Sequence, residues 1–206
     1  GFAYGSLGMS HHATEDLSAM RSLPSMNVLV PADAAEAEGI VETAWSSHLP
    51  CYIRLGKGGE AAVHTKMLAD FPIGKACRIR EGKDACIFAS GPVITEALAA
   101  ADQLSARGIS VEIYSFYSIK PIDQKTIAAC AAKFSEIITL EEHNQIGGLG
   151  SAVAEVITDN GYGTKIRRLG ICDTYAETAG SQAYLRSRYG IDSRAVTEAV
   201  TRSLKG

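Results

Sequence analysis

The chain has 206 residues, 46% of them hydrophobic and 21% charged, with a formal net charge of −3. That balance belongs to a globular chain long enough for one large domain or two small ones, and a mildly acidic chain without a Lys/Arg run is not built to bind nucleic acid or an anionic membrane surface. It holds no apolar run long enough to span a bilayer and its first residues lack a basic-then-apolar leader pattern, so no membrane role is expected and cytoplasm is the expected location.

Residues 1–13 scatter Gly1, Gly5, Ser6, Gly8 and Ser10 among Phe2, Tyr4, Leu7 and Met9, which predicts a loop that brings backbone close to something. The spacing of Leu17, Met20 and Arg21 predicts a helix over 14–23, ended by Pro24. A short buried strand follows over 27–30. Asp33 and Glu36 then form a capping-box pair for a second helix, whose apolar stripe is Ile40, Val41, Ala44 and Trp45. A strand over 51–55 runs into a glycine-rich exit at Gly56, Gly58 and Gly59. Strand, helix and strand in this order make a right-handed parallel βαβ unit.

Periodicity fades over 60–75, which reads as a linker between a first unit, 1–59, and a second, 76–206. There the pattern restarts. A strand is predicted over 85–89, and then a helix with Ile94, Ala97, Leu98, Ala101 and Leu104 on one face, stopped by Gly108 at C′. An alternating strand over 109–114, a helix over 124–132 and a strand over 136–140 follow. A loop over 141–148 leads to a helix over 151–158, a strand over 165–171, and helices over 182–188 and 193–204. The fold class is α/β: a partial βαβ unit followed by a complete small α/β domain.

Five cysteines, an odd number without a C-x-x-C pair, are expected to be buried reduced thiols, and no His/Cys cluster suggests a metal site. The stretch Gly148-Leu149-Gly150-Ser151-Ala152-Val153 imitates a dinucleotide fingerprint. The acidic run Glu141-Glu142-His143-Asn144-Gln145 between the preceding strand and these glycines is too long for the tight turn that lays pyrophosphate on a helix N-terminus, so close backbone packing is the favoured reading. His143, beside Glu141 and Glu142, reads either as an acid–base group or as a contact between domains or chains. The contact is favoured because no nucleophile accompanies it.

Arg54 stands at the end of an apolar strand. It needs a partner, and a structural carboxylate and a substrate acid group suit it equally. His11 and His12 are adjacent and point in different directions, so at least one is a candidate for a pocket.

Several stretches resemble one family. Gly8-Met9-Ser10-His11-His12-Ala13-Thr14-Glu15-Asp16, Arg21-Ser22-Leu23-Pro24 and Val30-Pro31-Ala32-Asp33 resemble the later half of the pyrimidine-binding domain of transketolases, and most of all those split into N- and C-terminal subunits. Arg80-Glu81-Gly82-Lys83-Asp84, Ile119-Lys120-Pro121-Ile122-Asp123, Glu141-Glu142-His143 and Gly147-Gly148-Leu149-Gly150-Ser151 are similar to landmarks of the transketolase C-terminal domain. The resemblance implies an enzyme that uses thiamine diphosphate and Mg²⁺, held mainly by a partner chain, to pass a two-carbon ketol unit between sugars. It implies an N-terminal subunit as partner and pairing of the C-terminal part with a copy of itself. By the same resemblance His11 matches a histidine that hydrogen-bonds substrate, Arg54 an arginine that clamps the sugar phosphate, and His12 a neighbour of the site with no matched role.

Leu7 stands where the family carries an aspartate that reads a substrate hydroxyl, which points to an acidic sugar with altered hydroxyl recognition. The sequence has no Gly-Asp-Gly motif for the diphosphate and metal. The family's cofactor-activating glutamate and aromatic slot would lie before residue 1. The rival expectations are the β subunit of a 2-oxo acid dehydrogenase, which shares this domain order, and a non-catalytic assembly module.

Overall fold

The computed structural model describes residues 1–64 and 70–205; residues 65–69 of the expected linker lie outside the described residues. Residues 1–13 form two short 3-10 turns, Gly5–Leu7 and Met9–His11, in an otherwise irregular loop. Helix α1 (Asp16–Ser22) is shorter than the spacing predicts, because Glu15 is its first flanking residue and Leu23 already adopts extended backbone ahead of Pro24. Strand β1 (Asn27–Leu29), helix α2 (Ala34–Ser47) and strand β2 (Cys51–Ile53) form the expected parallel βαβ unit, with Asn27, Val28 and Leu29 opposite Cys51, Tyr52 and Ile53.

Asp33 and Glu36 cap α2 as a pair, with Glu36 reaching one residue beyond the N-cap. Asp33 accepts from the Glu36 N–H at 3.0 Å, and Glu36 accepts from the Ala32 N–H at 2.7 Å. The expected apolar stripe of α2 is only partly inward. Ile40 is buried, whereas Val41 and Trp45 are exposed, Trp45 by 82%. Ile40 faces the three-stranded sheet's small core, with Leu29, Phe71 and Tyr117, and the neighbouring face of the helix is left to solvent among the described residues.

Two strands escape the sequence reading. Strand β3 (Cys77–Arg80) precedes β4 (Ala85–Ser90), helix α3 (Ile94–Ser105) and β5 (Val111–Ser115); strand β6 (Ser118–Lys120) comes next, and then helix α4 (Gln124–Lys133) and strand β7 (Glu136–Asn144). Helix α5 (Leu149–Asp159), strand β8 (Lys165–Ile171), helix α6 (Gln182–Arg188) and helix α7 (Ser193–Ser203) complete the order. β3 is an antiparallel edge strand beside β5; Cys77-Arg78-Ile79-Arg80 does alternate, but over four residues only. β6 leaves the main sheet and pairs antiparallel with β1, so the small sheet runs β2-β1-β6 and the large one β3-β5-β4-β7-β8. The chain's later half therefore completes the sheet of its first half. Gly108 adopts φ +76°, as a helix exit requires, but two residues past the α3 cap at Ala106 rather than at C′.

Both faces of the large sheet are covered, and its central strand shows this residue by residue. Ile87 and Ala89 of β4 join the cluster under α3 and α7, whereas Cys86 and Phe88 join the cluster under α4 and α5. A third small cluster of Leu29, Ile40, Phe71 and Tyr117 joins β1 and α2 to the chain on either side of β3 and β5. Cys86 and Cys130 are buried as expected, Cys51 and Cys77 are half-buried, and Cys172 is exposed in the segment after β8. All five are free thiols.

Phe88 is fully buried, its ring centroid 4.4 Å from that of Phe116 and 5.7 Å from that of Tyr114. Phe88→Ala is expected to cost about 3–5 kcal/mol in urea-induced unfolding, the loss of a large ring from a site that cannot collapse. A loss under about 1 kcal/mol would contradict this packing.

Candidate active site

Of the three residues singled out in the sequence, Arg54 lies in a polar seam between the small sheet and the C-terminal half, His12 is half-buried on the adjoining loop, and His11 is exposed on it. Arg54 directly follows β2; its N–H still donates to the Leu29 carbonyl at 2.9 Å, which carries it along the parallel ladder. Its side chain is 11% exposed. Nη2 donates to the carbonyl of Ala13 and to that of Glu142, the latter at 2.7 Å, and Nε lies 3.3 Å from Asp16 Oδ2. Burial lowers its pKa to about 10, opposed by the charges of Glu142 and Glu141. Arg54 thus remains a cation at neutral pH, held by partners from three separate segments.

The two histidines diverge. His11 is exposed at the end of the second 3-10 turn, and its Nδ1 lies 3.0 Å from Ser10 Oγ. His12 is half-buried; its ring lies edge-on to Phe2 at 5.3 Å, and its Nε2 donates to the Gly5 carbonyl at 3.1 Å. That bond fixes the tautomer and leaves His12 Nδ1 buried without a partner among the described residues. Leu7 is 55% exposed on the same loop.

The other side of the seam is the end of β7, and here the predicted loop over 141–148 is corrected. Residues 141–144 continue the strand, and only 145–148 turn. The polar run reads as loop by sequence because each of its side chains finds its partner far along the chain. Glu142 is 6% exposed and accepts from the Phe2 N–H at 3.0 Å, from Gln182 Nε2 at 3.0 and 3.1 Å, and from Arg186 Nε at 2.5 Å. Arg186 also reaches Glu96 Oε1 at 3.2 Å. His143 donates from Nδ1 to the Asn144 carbonyl at 2.6 Å and accepts the Ser18 N–H on Nε2 at 3.3 Å. Burial depresses its pKa to about 4, aided by the Arg54 charge, so it is neutral near pH 7. The contact reading of this cluster therefore describes where it sits, as a joint within the chain.

Glu141 accounts for the false dinucleotide fingerprint. Its carboxylate accepts from the N–H groups of Leu149 and Gly150 at 2.7 and 2.8 Å, at the N-terminus of α5. An intramolecular carboxylate occupies the place where a phosphate would sit. A Cβ at Gly148 would lie 1.9 Å from Glu141 Oε2, so the close approach requires glycine. Burial raises the Glu141 pKa to about 7, partly offset by the two N–H donors.

Two cavities open beside the seam. A small one of about 30 Å³, room for about one water, is lined by Gly1, Arg54, Ser90, Pro92, Glu142 and Gln182 among others. A larger one of about 310 Å³ lies between the start of α2 and the glycine loop, with Asp33, Ala34, Leu55, Lys57, Glu60 and Pro92 in its wall. Of the seam's residues, Gln182 and Arg186 carried no signal in the sequence; Asp16 and Glu142 stood inside stretches that resemble the family, without a role of their own.

The folded protein keeps the Glu141 proton up to about pH 7, whereas an unfolded glutamate releases it near its ordinary 4.5. Stability is therefore expected to fall as pH rises from 4.5 to 7, with Glu36, also raised to about 7 by burial, contributing in the same direction. In Glu141→Gln the fall becomes shallower in urea titrations at successive pH values; an unchanged slope would contradict the assignment.

Two family models match the chain: the transketolase C-terminal domain over residues 74–196 and the transketolase pyrimidine binding domain over residues 1–59. Over 206 residues the chain is 34% identical to a putative transketolase C-terminal section of Methanocaldococcus jannaschii, and over 205 residues 32% identical to one of the subunits of the apulose-4-phosphate transketolase of Phocaeicola vulgatus. It spans 64% and 65% of the length of those relatives. A solved split gene transketolase, described as an inactive beta4 tetramer, matches with a TM-score of 0.89 and 40% identity over 96% of this chain and 64% of that one. The chain belongs to the transketolase family, combining sequence of its pyrimidine-binding domain with its C-terminal domain in the manner of the C-terminal sections of split transketolases.

Proposed function

We propose that this chain is the C-terminal portion of a thiamine-diphosphate-dependent transketolase that moves a two-carbon ketol unit between sugar phosphates or related acidic sugars, and that it acts only with an N-terminal partner subunit. The observation that carries the reading is the contact between the Arg54 guanidinium and the carbonyl of Ala13. It sets a candidate anion-binding group two residues from the exposed imidazole of His11, on one βαβ unit of a transketolase-family chain. In this proposal residues 1–59 are the pyrimidine-binding part, 60–75 the linker and 76–206 the C-terminal domain.

The described residues do not fit the cofactor's diphosphate and Mg²⁺. No group of three or more His, Cys, Asp or Glu side chains among them could hold a metal ion, and the one turn that resembles a phosphate cradle is filled by Glu141. In the proposal those groups belong to the N-terminal subunit. The tetramer named for the solved relative supports a further reading, that this chain pairs with copies of itself and is inactive until the partner joins.

This chain's own contribution is to orient substrate. With the Ser10 hydroxyl donating to His11 Nδ1, Nε2–H is the donor available to a substrate oxygen, and such a donor stabilises charge that develops there. Arg54 offers a cation for the acidic end of the sugar, a phosphate, sulfonate or carboxylate. Leu7, apolar and exposed, offers no hydrogen bond to a hydroxyl at its position.

The test is ketol transfer by the chain assembled with an N-terminal transketolase subunit, thiamine diphosphate and Mg²⁺. His11→Ala is expected to lower kcat by about 10²–10³, the loss of one oxyanion donor. Arg54→Lys, which keeps the charge but loses the guanidinium fork, is expected to raise KM for phosphorylated sugars by about tenfold. Wild-type rates in both variants would overturn the site assignment.

A further inference from the structure

The loop over 2–13 that carries His11 and His12 has little to hold it in shape. Beyond two 3-10 turns it contains Gly5 and Gly8, and it exposes Tyr4, Leu7 and Met9. Such a segment keeps one conformation only if its ends and its middle are fastened, because ordering costs about 1–2 kcal/mol per residue of backbone entropy. Part of that fastening is internal, with His12 Nε2 on the Gly5 carbonyl and the Ala13 N–H on the Gly1 carbonyl; the rest leads to the C-terminal half of the chain, at the loop's end by way of Arg54. At the start, the Phe2 N–H donates to the Glu142 carboxylate and the Phe2 ring stacks on Tyr189 at 5.6 Å. In the middle, the Gly180 N–H donates to the Gly5 carbonyl at 3.1 Å. At the end, the Ala13 carbonyl accepts from Arg54 Nη2, and the same nitrogen donates to the Glu142 carbonyl at 2.7 Å.

One residue therefore meets both ends of the loop, its carboxylate fastening the start and its main-chain carbonyl, through Arg54, the end. We propose that Glu142 is a positioning residue, which sets the His11–His12 loop and Arg54 relative to each other from the C-terminal domain. The proposal deepens the transketolase reading and rests on it for its meaning in catalysis. It implies that the C-terminal domain, which supplies none of the candidate catalytic side chains, sets the geometry of those that the first 59 residues supply.

The chemistry of the carboxylate suits this use. It is buried, and its accepting capacity is filled by Phe2, Gln182 and Arg186. The Arg186 guanidinium, also buried, is held in turn by Glu96. A carboxylate fixed by charge-assisted bonds on one side presents its remaining oxygen lone pair to the Phe2 N–H in a single direction. A neutral amide in its place has one acceptor oxygen rather than two, and leaves Arg186 with Glu96 as its one carboxylate among the described residues.

The alternative is that Glu142 serves only to hold α6 against β7. Hydrogen exchange read by mass spectrometry on the full chain separates the two, using peptides over 2–13 and over the buried strand β4. For Glu142→Gln the proposal expects exchange at least tenfold faster in 2–13, while β4, protected by the whole folding free energy, stays unexchanged over the same labelling times; Glu142→Asp, which keeps the charge, falls between. Gln182→Ala removes two of the carboxylate's contacts without leaving a charge unpaired, and is expected to speed 2–13 alone by about threefold. Unchanged exchange in 2–13, or exchange of β4 on the same timescale as 2–13, overturns the proposal. In the assembly with the N-terminal subunit, Glu142→Gln is expected to lower kcat and raise KM together, with partial rescue in Glu142→Asp; a wild-type KM and kcat in Glu142→Gln also overturns it. An assembly whose wild type shows no ketol transfer would remove the transketolase reading, while the exchange data would still decide whether Glu142 orders the loop.

Discussion

An arginine cannot shed its proton to escape burial, and Arg54 is buried where two parts of the chain meet. Much of the seam follows from that constraint. A buried guanidinium needs acceptors, and those of Nε and Nη2 come from the start of α1 at Asp16, the loop end at Ala13 and the end of β7 at Glu142. Pairing Arg54 thus assembles the candidate site. Asp16 is itself held by the Tyr52 hydroxyl at 2.7 Å, and burial raises its pKa, so even the partner of the arginine needs a partner. Glu142 extends the chain of pairing to Arg186 and Glu96, deep in the C-terminal half. Such networks cost desolvation and return little net stability, and their yield is a single arrangement of the groups they join.

A second consequence concerns what the site does not bind. The turn before α5 has the glycines of a phosphate cradle, yet Glu141 places a carboxylate on its N–H groups. The helix end is satisfied from within the chain, and the close packing of Gly148 on Glu141 is what the glycines serve. Small-residue spacing reports that two backbones approach closely. It does not report whether the approaching group is a ligand.

The elements with a strong local period were legible in the sequence. The βαβ unit, the capping pair at Asp33 and Glu36, and the central helices of the C-terminal half fall where spacing puts them. What spacing could not give depends on partners distant in sequence. β6 is three residues long and is a strand only because β1 offers it an edge. The continuation of β7 through Glu141, Glu142 and His143 looks like a loop to any rule based on hydrophobicity, because its burial is made possible by Phe2, Ser18, Gln182 and Arg186. Trp45 misleads in the opposite sense: helical spacing sets it in the apolar stripe of α2, yet it is exposed. Of the candidate site, the adjacent histidines and the strand-end arginine stood out by residue type, whereas the groups that hold them did not.

The central claim is that Arg54 and Glu142 belong to one coupled joint rather than two independent contacts. A double-mutant cycle on unfolding free energy, with Arg54→Gln, Glu142→Gln and the pair, tests it most directly. Each single change is expected to cost about 2–4 kcal/mol, and the pair at least about 1 kcal/mol less than their sum, because the second loss falls on a joint already broken. Additivity within about 0.5 kcal/mol would contradict the account.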